Sequence, residues 1–108
     1  MIYTVTTFQK IAKYETDSLG TRYELPYPSF GERECWGYYP SLDDALKCVK
    51  KYGKAMHQGQ FSYCIIEGYN SGFMPKGHDR YLFRWYKGKY LPVSEPAIMD
   101  SVMNFALS

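Results

Sequence analysis

The chain has 108 residues (12.6 kDa), with thirteen basic and eleven acidic side chains giving a net charge of +2. That length holds a single domain with one core, residues 1–108, so any site is built on one folding unit and not against a separate catalytic domain. The balanced charge excludes a whole-molecule field for nucleic acid or membrane, no apolar run approaches the roughly 18 residues of a membrane span, and no basic-then-apolar leader is present, so a soluble cytoplasmic protein is expected.

Ile2 to Phe8 (IYTVTTF) is β-branched and aromatic throughout, which predicts an internal first strand with apolar groups on both faces. Glu15 to Phe30 carries one Gly, two Pro and scattered Tyr, loop chemistry around a short strand at Thr21 to Leu25. Cys35 to Tyr39 is a short aromatic strand ended by Pro40, feeding the best helix of the chain. Ser41 is its N-cap, with Asp43 and Asp44 at the positive helix end, so the helix starts at Leu42. Leu42, Ala45, Leu46, Val49 and Tyr52 form the apolar face, Lys47, Lys50 and Lys51 turn outward, and Gly53 supplies a left-handed stop.

Phe61 to Tyr69 (FSYCIIEGY) predicts a strand buried on both sides. Arg80 to Tyr86 and Lys89 to Val93 flank Lys87-Gly88, a two-residue hairpin turn in which Gly takes the positive φ. Alternation puts Tyr81, Phe83 and Trp85 on the core face, and Arg80, Leu82, Arg84 and Tyr86 on a face that is open or covered by a partner. Ser94 caps a last helix, with Pro96 in its first turn and Ile98, Val102 and Phe105 in one stripe, expected on the same sheet face as the first. The expected fold class is α+β, a single antiparallel sheet of five to six strands with two helices packed on one face.

Chemistry-bearing residues are few. His57 and His78 are the only histidines and stand at no metal-ligand spacing, so no metal and no cofactor are expected. Cys35, Cys48 and Cys64 form no CxxC pair, and as an odd set within apolar segments they read as reduced, buried thiols. With no nucleophile motif and no phosphate loop, the expectation is a protein that is not an enzyme. The outlying number is aromatic content, 19% with twelve tyrosines, which suits a binding surface or subunit interface as well as a thin Tyr-rich core. Three arginines lie among aromatics: Arg22 beside Tyr23, Arg33 between Phe30 and Trp36, and Arg84 between Phe83 and Trp85. A guanidinium fork with an aromatic face is what a nucleotide pocket needs, and equally what a solvated strand edge shows.

The runs GERECWGYYPSLDDALKCV, YCIIEGYNSGFMP and RWYKGKYLPVSEP, with the ending NFALS, resemble a group of short proteins from phages and prophages of Firmicutes, and in particular the first described family of Thoeris anti-defence sponges. The likeness covers roughly residues 30 to 108 and leaves Ile11 to Pro28 unmatched. It implies an antiparallel sheet backed by helices, homo-oligomers built from dimers, and sequestration of a cyclic ADP-ribose signal without cleavage, with cyclic oligonucleotides as further ligands, in the cytoplasm of an infected bacterial host. In that family arginines hold the phosphates and an aromatic stacks the base, so the expected ligand-binding residues are Arg33, Arg84, Phe83 and Trp36, with Arg22 added for its place beside Tyr23. The alternative is a phage inhibitor that blocks a host defence protein by surface contact; single-stranded nucleic-acid binding is a weaker third reading.

Overall fold

In a computed structural model, described for residues 1–11, 14–25, 29–58, 61–69, 77–96 and 98, the elements run β1 (Ile2–Ile11), β2 (Tyr14–Thr16), β3 (Arg22–Glu24), β4 (Ser29–Tyr39), α1 (Leu42–His57), β5 (Tyr63–Tyr69), β6 (Gly77–Tyr86) and β7 (Lys89–Pro92). The fold is α+β: β4-β1-β5-β6-β7 form one antiparallel five-stranded sheet, and β2 with β3 makes a separate two-stranded ribbon. β1 is internal, as its doubly apolar text requires. Among the described residues no helix is long and apolar enough to cross a membrane.

Local chemistry explains the joints. Asp44 N–H donates to Ser41 Oγ at 3.2 Å, which caps α1 where the sequence places the cap. Lys87 (φ 48°) and Gly88 (φ 88°) both take the left-handed region, the two-residue turn whose twist matches the strands of the β6–β7 hairpin. In β4, Trp36 and Gly37 together oppose the single residue Val5 of β1, and Gly37 (φ 122°) absorbs that bulge.

Four expectations are corrected. First, α1 does not stop at Gly53 but continues to His57; Gly53 is buried inside the helix, where a Cβ would lie 3.5 Å from the Tyr90 ring. Second, the buried face is Ala45, Cys48, Val49 and Met56, while Leu46 and Tyr52 are 37% and 50% exposed. The apolar positions of α1 form two overlapping stripes, and the sheet residues Val5, Cys64, Ile66 and Phe83 select the one centred on Cys48 and Val49. Third, Cys35 is exposed on β4, whereas Cys48 and Cys64 are buried, all three as free thiols. Fourth, the expected second helix lies mostly outside the described residues, but Ile98 of its stripe, expected on the face of α1, packs with Phe8, Tyr63, Ile65 and Leu82 on the other face of the sheet. Successive β5 residues point to opposite faces, so Cys64 and Ile66 meet α1 while Tyr63 and Ile65 build a second small core behind the sheet. Leu82, expected open or partner-covered, is buried there; Arg84 and Tyr86 remain exposed. Asn70 to Lys76 lie outside the described residues, and the strand expected from Arg80 begins earlier, at Gly77.

Candidate functional site

The C-terminal half of α1 leans on the β6–β7 hairpin and leaves a cavity of about 610 Å³ between them. Phe83, Val49, Leu46 and Tyr90 give it an apolar wall. Around it stand Lys50, Lys51 and Lys54 from α1 and Lys89 from β7. Helical spacing puts Lys50 and Lys54 on one side, one turn apart, and the hairpin brings Lys89 opposite. Among the described residues none of these lysines is paired with a carboxylate. The volume lies in the range of small-molecule sites, roughly 300–1,000 Å³. An apolar wall under ammonium groups suits a flat body carrying anionic groups, since a lysine binds phosphate as a mobile point charge without the directional fork of arginine.

The neighbouring residues are fixed by aromatic packing. The Tyr90 hydroxyl donates to the Phe61 carbonyl at 2.7 Å, and burial pushes its pKa up, which keeps it a neutral donor. His57, the last residue of α1, stacks on Trp85 with ring centroids 3.7 Å apart and planes 6° from parallel, and Trp85 meets Tyr90 edge-on at 5.0 Å. Burial lowers the His57 pKa from its ordinary value. Burial also pushes the Cys64 thiol up, away from the thiolate a nucleophile requires. Among the described residues no three His, Cys, Asp or Glu side chains converge on a metal-sized point.

Compared with known proteins, the chain matches no family model, no curated protein and no solved structure.

The residues expected to bind ligand are dispersed. Of the five, Phe83 alone lines the cavity. Arg33, Phe8, Tyr63 and Arg84 are successive register partners across β4, β1, β5 and β6, so the two arginines stand three strand spacings apart, about 14 Å. Between them Phe8 stacks on Tyr63 at 5.5 Å, both rings buried. Arg84 lies over the Tyr63 ring at 5.6 Å and 3.9 Å from Glu95, whose carboxylate also accepts from the Tyr63 hydroxyl. Trp36 donates Nε1–H to Thr7 Oγ1 at 2.7 Å and ties β4 to β1. Arg22 covers the Tyr14 ring at 4.3 Å on the ribbon.

The lysines were legible only as an outward helix face. The nearest signal was Lys50 and Lys54 bordering the apolar stripe, but nothing local says that a hairpin bearing Lys89 comes to face them.

Proposed function

We propose that the protein binds and holds, without turnover, an anionic nucleotide of the cyclic ADP-ribose or cyclic oligonucleotide class, acting as a phage counter-defence sponge, and that the lysine-rimmed cavity is where it binds. The observation that supports this reading is the pairing of an apolar wall containing Phe83 with four lysines free of carboxylate partners among the described residues. The sequence resemblance supplies the ligand class, and the absence of a nucleophile motif supplies the expectation of storage over cleavage.

The test is calorimetric titration of the protein with cyclic ADP-ribose isomers and cyclic dinucleotides, followed by release of the ligand on heating and its identification by mass spectrometry. An exposed charge pair contributes about 0.2–1 kcal/mol, so Lys50→Ala combined with Lys54→Ala should weaken binding roughly tenfold. Arg84→Ala, on the opposite face, should leave affinity unchanged. Loss of binding in Arg84→Ala alone would move the site to the other face of the sheet, and recovery of a cleaved ligand would make the protein an enzyme. No binding of any of these ligands by folded protein would favour the inhibitor of a host defence protein.

A further inference from the structure

The lysine-rimmed cavity continues into a second one, of about 350 Å³, bordered by Tyr81, Pro92, Val93 and Ser94, and Leu46 and Phe83 stand in the walls of both. Tyr81 is the register partner of Ile66, and Phe83 of Cys64, so both rings rise from the sheet face that carries α1, about 7 Å apart along β6. Phe83 is 6% exposed, whereas Tyr81 and Leu46 keep 38% and 37% of their surface open. Arg80 and Leu82 alternate with Tyr81, and Leu82 packs behind the sheet, so these two border the second cavity with their main chain. The Leu82 carbonyl accepts from Val93 N–H at 3.0 Å, just past the end of β7 at Pro92. Arg80, two residues earlier on β6, points its main-chain N–H and C=O to that same side, where β7 has ended. Lys50 and Lys54 follow Leu46 by one and two turns of α1, which sets Lys54 about 12 Å along the helix from Leu46.

We infer that the two cavities are the two ends of one site, with the ligand's phosphates against Lys50, Lys54 and Lys89 and an aromatic base in the second cavity, stacked on Tyr81 with Leu46 at its side. This rests on the nucleotide reading above and adds to it an orientation and a stacking residue. Charge sets the orientation: among the described residues the lysines stand around the first cavity and none borders the second. A base has a flat apolar face and a polar edge. Tyr81 and Leu46 offer the open apolar surface that such a face needs, and the main chain of Arg80 lies where the polar edge would reach. The buried Phe83 ring between the two ends serves as floor, with little of its own face to stack on. A ligand that fills the site must therefore carry a base as well as phosphate, which sets nucleotides apart from sugar phosphates.

The experiment is titration of the full chain with cyclic ADP-ribose and with cyclic di-AMP at low and raised salt. Tyr81→Leu keeps apolar cover and removes the ring, so it should raise the Kd about tenfold to a hundredfold at both salt concentrations. Tyr81→Phe keeps the ring and should bind as wild type does. The loss in Lys50→Ala with Lys54→Ala should instead shrink as salt is raised, because it is a loss of charge attraction. Circular dichroism checks that the variants are folded. In the wild-type complex, nuclear Overhauser contacts between the base protons and the Tyr81 ring read the same orientation without any substitution. Wild-type affinity in Tyr81→Leu beside a weakened lysine variant would overturn the orientation and leave the lysine cavity as the site. Equal losses in Tyr81→Leu and Tyr81→Phe, or a complex without contacts between base and ring, would overturn the stacking role. No binding by wild type would remove the nucleotide reading and this inference with it.

Discussion

His57 shows how one side chain changes meaning once packed. It stands in the sequence among loop-like residues, and in the fold it ends α1 and lies flat on Trp85. Burial lowers its pKa from 6.5, so the folded state holds the neutral ring while the unfolded chain takes up a proton at the ordinary value. The stabilisation is therefore complete above about pH 6.5 and is lost as pH falls from there towards the lower folded value. Thermal melts between pH 7.5 and 5 should show a falling midpoint that flattens in His57→Gln. An unchanged slope in that variant would assign the loss to other groups.

At the scale of the element, α1 decides the core. Met56 is fully buried, and Met56→Ala should cost about 2–5 kcal/mol. Leu46 borders the cavity at 37% exposure, so Leu46→Ala should cost well under half of that, reversing the order expected from the apolar stripe alone. Urea denaturation of the two variants checks the order directly, and an equal loss in both would restore the stripe read from the sequence. The cap and the hairpin turn behave differently. Ser41 and the Lys87-Gly88 turn meet their local requirements without help from the sheet, and both stand where the sequence puts them.

At the scale of the whole molecule, the chain is extended for its length. A compact chain of this size has a radius of gyration of about 13 Å. The observed value is 15.3 Å, with a longest dimension of 53 Å. Ile11 and Ser29 are register partners at the base of the β2–β3 ribbon, so residues 12–28 can be replaced by a two-residue Asn-Gly turn that closes β1 onto β4 as a plain hairpin. The shortened protein should keep the denaturation midpoint of the full chain, read by far-ultraviolet circular dichroism. A large fall would show that the ribbon stabilises the sheet it leaves.

The sequence by itself determined the pieces whose causes are local: Ser41 as cap, Leu42 as helix start, the positive-φ turn at Lys87-Gly88, the doubly apolar text of β1 and β5, and from these an antiparallel α+β sheet. The end of α1 was not among them, since a glycine marks a stop only where the chain takes up a left-handed φ, and Gly53 sits instead beneath the Tyr90 ring. Tertiary structure alone decided which stripe of α1 is buried, that Ile98 belongs behind the sheet, and that Arg33 and Arg84 are held about 14 Å apart with buried rings between them. The lysine cavity belongs to the same class. A 3.6-residue period says that an apolar face exists, but which part of it is covered, and which charges flank the gap, depends on the angle at which a helix crosses a twisted sheet, a property of pairings between residues distant in the chain.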